Sequence, residues 1–303
     1  MAPIHPYDVV VVGNVGIDTN VFVAAEPRGT ETTFADVVDH IGHAGGYTSL
    51  GFARLGLRTA VIASVGDDAA GRPVREVLAG DGIDTSGLFT DPAGTARSVN
   101  LVAADGSRRN FYDGRGHLAL RPDPAAASAL LGTTRLALFH LPNWARDLLP
   151  VARAAGATIA CDLQDVVSLD DSYRRDFVEQ ADILFFSAAN QPDPRPLIED
   201  LLALRPELVV VSGRGALGCA VGTAAGIRLL PPVPLDLPVV DTNGAGDGLA
   251  VGVLAGYVFD GRPLDEAVRR GQIAARWTCA QRACSSELIT PEQLDGYDRS
   301  LAG

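Results

Sequence analysis

Six short runs of this chain are apolar nearly throughout: VVVVG (9–13), TAVIASVG (59–66), RLALFH (135–140), ATIACD (157–162), ADILFF (181–186) and ELVVVSG (207–213). Each is strand-length and rich in β-branched residues, and Ala/Leu/Arg-rich helical stretches separate them. A strand apolar on both sides must be covered on both sides, which an edge-to-core antiparallel sheet does not do. The pattern therefore predicts a doubly wound α/β core around a mostly parallel sheet. At 303 residues the chain is long enough for one large α/β domain or two smaller ones.

Two segments break this rhythm. Residues 15–41 carry alternating strand-like pieces around a Pro-Arg-Gly turn, and residues 95–116 read as a hairpin closed at Asp105 and Gly106. Together they predict a small β lid over one sheet edge, the kind of element that shields a reaction from water; decorative surface hairpins are the plainer alternative. The organisation expected is a core formed by 1–14, 42–94 and 117–303, with 15–41 and 95–116 as lid insertions.

The stretch DTNGAGDGLAVG, residues 241–252, follows the apolar LPVV and opens a helix-like run. A helix start after a strand presents unpaired N–H groups at the positive end of the dipole, and these hold phosphoryl oxygens. Gly244 and Gly246 let an anion approach the backbone. Every one of the 25 basic residues is Arg, so a Walker-type loop and a lysine Schiff base are excluded. A carboxylate at Asp247 would repel a phosphate if binding were its only task. It suits a general base that takes a proton from an attacking hydroxyl, with a simple helix-start aspartate as the alternative.

The net charge of −12 argues against nonspecific nucleic-acid binding and anionic membranes. No signal peptide or membrane helix is read, and Cys161, Cys219, Cys279 and Cys284 form no C-x-x-C pair, so a cytoplasmic protein with free thiols is expected. His40 and His43 lack a nearby third metal ligand; His117 and His140 read as structural, Trp144 and Trp277 as packing residues. Tyr112 and Arg115, at the end of the second insertion, read as a solvated hairpin end, with reach to a substrate as the alternative.

DTNGAGD resembles the D-T-x-G-A-G-D signature of the ribokinase-like (PfkB) sugar and nucleoside kinases. VVGNVGID (11–18), GHAGGYTSLGFARLG (42–56), VGDDAAG (65–71) and DGIDTSGL (81–88) are similar to further family landmarks in the same order. ADILFFSAAN (181–190), VVVSGRGALG (209–218) and GQIAARWT (271–278) fall where the later ones stand. The resemblance implies an ATP-dependent kinase on a ribokinase-like sheet with a β-sheet lid, using Mg2+, with a monovalent cation such as K+ as an open addition. It implies Asp247 as catalytic base, Gly244, Ala245 and Gly246 with Asn243 as the anion hole, and Asp18, Gly42, His43 and Tyr47 at the substrate. Ser212, Gly215, Gly218 and Gln272 would border the nucleotide, and the lid would mediate a homodimer.

The chain also departs from the family. Gly16 replaces an asparagine, His43 a glycine and Tyr47 an asparagine. The N-x-x-E motif appears as Ser187, Ala188, Ala189 and Asn190, and the D-P-N-x-R stretch as Asp162, Leu163, Gln164, Asp165 and Val166. Asn190 and Asp162, with Asp165 behind them, are then the metal candidates. A sugar kinase is the expectation, with a nucleoside kinase using Tyr47 to stack on a base, or a ligand-binding pseudokinase, as alternatives.

Overall fold

The computed structural model describes residues 6–23, 31–166, 168–189, 191–283 and 285–302; Asn190 and Cys284 lie outside them. The strands, in chain order, are β1 (Tyr7–Val12), β2 (Gly16–Val23), β3 (Asp36–Gly42), β4 (Thr59–Val65), β5 (Asp84–Thr90), β6 (Ala96–Ala103) and β7 (Arg108–Asp113). They continue with β8 (Thr134–Phe139), β9 (Thr158–Asp162), β10 (Ile183–Ser187), β11 (Val209–Gly213), β12 (Cys219–Thr223) and β13 (Gly226–Leu230).

Nine of them form one sheet in the order β13-β12-β11-β10-β9-β8-β1-β4-β5. It is parallel from β5 to β11, and β12 and β13 add an antiparallel edge. The apolar runs explain this directly. On β1, Val10 and Val12 enter the core on one face of the sheet and Val9 and Val11 the core on the other, all four fully buried. A strand with no polar side needs helices on both faces, and the chain supplies them.

The remaining strands form the second sheet, β3-β2-β6-β7. The two hairpin pairs are antiparallel, and β2 runs parallel to β6. Its register places Asp18 opposite Ser98, which is opposite Tyr112, and aligns Asn20, Asn100 and Asn110 in a second row. Because side chains alternate along a strand, these rows share one face. That face is turned inward: Asp18, Asn20, Ser98 and Asn100 are all buried, whereas Val37, Val99 and Phe111 on the alternate positions are exposed.

The switch in strand order falls at β1, with β4 on one side and β8 on the other. Ligands of open α/β sheets bind beyond the carboxyl ends of the strands at such a point. Here those ends deliver Asn14 after β1, His140 after β8 and Asp162 at the end of β9. The helix Ala245–Leu254 brings its N-terminus to the same place. Among the described residues no helix is long and apolar enough to cross a membrane.

Candidate active site

The glycine loop is built to expose a helix start. Gly244 sits at φ 73°, a left-handed conformation that a side chain resists, and the helix begins at Ala245 with no side-chain cap. At Gly246 a Cβ would meet nothing within 4 Å, so space lies against the backbone there. Not every amide of the loop is free. Asn243 N–H donates to Asp241 Oδ1 at 2.8 Å, and Ala245 N–H points to Thr242 O at 3.3 Å.

Asp247 stands in the first turn of this helix, and its Oδ1 is sealed from solvent without a hydrogen-bond partner. Burial, followed by the like charge of Asp162, pushes its carboxyl well above the usual carboxylate range. The lid's Arg108 opposes that shift. Asp162 is itself raised to about 6, chiefly by burial, against a stabilising N–H from Gln164.

His140 completes the group. Its Nδ1, an oxygen of Asp162 and an oxygen of Asp247 all lie within 4.8 Å of one another. Its Nε2 lies 3.0 Å from the Thr48 hydroxyl, which also lies 2.7 Å from Ala44 O. Its Nδ1 lies 3.8 Å from Asp162 Oδ2 and has no hydrogen-bond partner. Burial holds the ring neutral, its pKa lowered to about 3. His140, read from the sequence as structural, is buried and bonded to Thr48, and it also lies beside two carboxylates. Asp165 does not join the cluster; it is exposed and pairs with Arg174.

A second polar group lies beside the first. Asp18 Oδ2 accepts from the Tyr47 hydroxyl at 2.6 Å and from Asn243 Nδ2 at 3.2 Å, while Asn243 Nδ2 also donates to the Tyr47 oxygen at 2.6 Å. Tyr47 Oη is 3.0 Å from His40 Nε2. Asp18 Oδ1 and His43 Nε2 face each other at 3.7 Å, both buried and without a hydrogen-bond partner. At this spacing no atom fits between them, but a neighbouring hydroxyl can bond to either one. Burial keeps His43 neutral.

Two departures from the family pattern prove to be one structural change. His43 adopts φ 62° and ψ 154°, a region that essentially only glycine enters without strain. A Cβ on Gly16 would overlap the Ala96 carbonyl and lie 2.9 Å from His43 Cδ2. The room given up at Gly16 is taken by the His43 ring. Gly42 leaves room in the same way, since a Cβ there would run into the Asp18 carboxyl. Tyr112 is no idle hairpin end. Its hydroxyl meets Asn14 Nδ2, and its ring packs edge-on against His43 at 5.3 Å.

The lid is tied to the glycine loop by a row of amides. Asn110 donates to Asn100 at 2.8 Å, Asn100 to Asn20 at 3.0 Å, and Asn20 to Asp241 Oδ2 at 2.7 Å. Asn20 Nδ2 also donates to Arg282 O at 3.0 Å. The expected nucleotide-side residues lie elsewhere. Ser212 is fully buried within β11, and its Oγ has no hydrogen-bond partner. Gly215 and Gly218 both take positive φ around a short 3-10 turn. Gln272 accepts from Val233 N–H at 3.2 Å and so fixes the strand-like segment before the glycine loop. A cavity of about 1080 Å3 opens where the small sheet joins the core, lined by Asp39, His40, Arg54 and Arg97 rather than by Asp247.

The sequence matches the pfkB family carbohydrate kinase model over residues 7–291. An acarbose 7(IV)-phosphotransferase from Actinoplanes sp. is 30% identical over 277 residues, covering 90% of this chain and 92% of that protein. A 5-dehydro-2-deoxygluconokinase from Geobacillus thermodenitrificans is 25% identical over 319 residues, covering 96% and 93%. Among solved structures, a microbiome-derived acarbose kinase superposes with a TM-score of 0.88 at 32% identity, over 97% of this chain and 99% of that one. An Arabidopsis thaliana ribokinase shares the fold with a TM-score of 0.80 at 19% identity, over 97% and 99%. With its ribokinase-like fold and a family match spanning most of its length, the chain belongs to the pfkB family of carbohydrate kinases.

Proposed function

We propose that the chain transfers the terminal phosphoryl group of ATP to a hydroxyl of a sugar or sugar-like molecule, with Asp247 as general base. The observation that carries this reading is the placement of Asp247. It combines a helix start open to an anion, a carboxyl raised well above the usual carboxylate range, and the unpartnered Asp18 and His43 pair for an acceptor hydroxyl. The acceptor hydroxyl is oriented beside Asp18 and gives its proton to Asp247 as its oxygen attacks the phosphorus. Gly244 and Gly246 let the transferring group approach the first-turn amides, which stabilise the charge on its oxygens. Asn243 and Tyr47 hold Asp18 in place.

Oxygen donors of the kind magnesium takes are present in the Asp162 and Asp247 carboxylates. Asp162 is the described residue that would hold magnesium accompanying the nucleotide, and the ion would supply charge neutralisation for the phosphates. Gly215, Gly218 and Gln272 remain the proposed nucleotide border, with Ser212 buried behind it in β11.

A sugar is favoured over a nucleoside because the Tyr47 ring, 4% exposed with its hydroxyl tied to Asp18, is not free to stack on a base. Acarbose is the first acceptor to try, because two similar proteins are named for acting on it. The exposed lid face of Val37, Val99 and Phe111 is the proposed homodimer surface. The test is ADP release across a panel of acarbose, hexoses, pentoses, sugar acids and nucleosides. A hit should lose about 10²–10⁴-fold in kcat on Asp247→Asn while ATP still binds. Silence across the panel would favour a ligand-binding pseudokinase.

A further inference from the structure

The His140 nitrogen is foreign to a magnesium site. Magnesium selects oxygen donors in near-ideal octahedral geometry, whereas an imidazole nitrogen beside two carboxylates suits Zn2+, Co2+ or Mn2+. Three features mark this nitrogen as a ligand in waiting. The ring is held from behind by the Thr48 hydroxyl, 3.0 Å from Nε2, which leaves Nδ1 as the nitrogen that faces Asp162. Nδ1 is buried with no hydrogen-bond partner, on a residue 1% exposed. The ring is also clamped: a Cβ added to Gly13 would lie 2.8 Å from His140 Cδ2, so only a glycine backbone fits against it.

We propose that His140 Nδ1, Asp162 and Asp247 form a binding site for one borderline divalent cation, filled in the absence of nucleotide and sugar. Ligand bonds of about 2.0–2.2 Å keep donors within about 4.4 Å of one another, so the present spread of up to 4.8 Å contracts only slightly on filling. Each carboxylate needs to give one oxygen, which leaves the second oxygen of Asp247 for the acceptor hydroxyl. The proposal rests on the kinase reading only for that last role; the site itself needs neither substrate.

The test is a Mn2+ titration of the full chain without nucleotide or sugar, followed by loss of the free-ion electron paramagnetic resonance signal. Electron-spin-echo modulation then asks whether a 14N nucleus is bound directly to the ion. One Mn2+ per chain with a directly bound nitrogen is expected, and His140→Gln should weaken binding about tenfold or more and abolish the nitrogen signal. Should His140→Gln fail to fold, the nitrogen signal of the unaltered chain and the loss of binding in Asp162→Asn carry the test. No uptake by the unaltered chain, a bound ion without nitrogen, or equal binding by a folded His140→Gln overturns the proposal. Failure of the sugar panel leaves this measurement untouched, so the two readings fall separately.

Discussion

Asp162→Asn should make this protein more stable at neutral pH and leave it unchanged in acid. Asp162 is 8% exposed, and its carboxyl is raised from 3.8 to about 6 because burial disfavours its charge. Its folded-state pKa thus lies above the unfolded one. Below pH 3.8 both states hold the proton and the group is neutral in its effect. As pH rises toward 6 the unfolded chain ionises first, so the folded state loses ground, and the loss is complete above the folded pKa. Roughly two pKa units correspond to about 3 kcal/mol. An entropy of unfolding of about 2.1 cal/mol/K per residue gives a 303-residue chain about 0.6 kcal/mol/K, so the midpoint should rise by about 5 °C. The asparagine keeps an oxygen for the Gln164 N–H, so no partner is lost. Removing a like charge from beside Asp247 adds in the same direction. Thermal melts in metal-free buffer from pH 4 to 8 read this out. An equal shift at both ends, or a lower midpoint at pH 8, would refute the burial argument.

The ionised Asp247 is the active form of a base, so the acid limb of the kcat/KM profile should lie above the ordinary carboxylate range and move to lower pH in Asp162→Asn; a limb near pH 4 in both proteins counts against Asp247. At position 43 the usual order of residues should reverse: His43→Gly should be more stable than His43→Ala by about 1–3 kcal/mol, because both remove the ring but only glycine relieves the backbone, as denaturant melts would show. Phe111→Asp, on the exposed lid face, should shift a dimer to monomer in sedimentation, and an unchanged mass would remove the lid as the interface.

Much of the frame was legible because it rests on local patterns. VVVVG could be little else than a strand covered on both sides, and the Asp105-Gly106 turn marks the hairpin of β6 and β7. The run 241–252 disclosed its helix start through glycines and the lack of any lysine in the chain. What stayed hidden depends on register. His140 ends an apolar run with nothing to distinguish it from a core histidine. It meets Asp162 because β8 and β9 pair Phe139 with Cys161, which sets the next residue of each strand side by side. The signal existed, since two adjacent runs each end in a chemistry-bearing residue, but reading it required the strand order. The strain at His43 was hidden for another reason: backbone angles are set by packing against Gly16 and Asp18, not by the residue's own preference.

The row of Asn110, Asn100 and Asn20 has a direction. Each amide gives hydrogen to the next oxygen, and the last gives to the Asp241 carboxylate, so the acid fixes which way every carboxamide in the row is turned. A swing of the whole lid about Gly16 and Gly42 would part Asn20 from both Asp241 and Arg282 and strand buried polar groups at about 1–3 kcal/mol each. The tip of the β6–β7 hairpin is fastened as well, since Gly106 O accepts from the Thr242 N–H at 3.2 Å and from its hydroxyl at 3.0 Å. The lid is therefore stitched to the glycine loop at two levels along its length, at Asn20 and at Gly106, so that a displacement of the sheet pulls directly on the backbone that leads into Asp247.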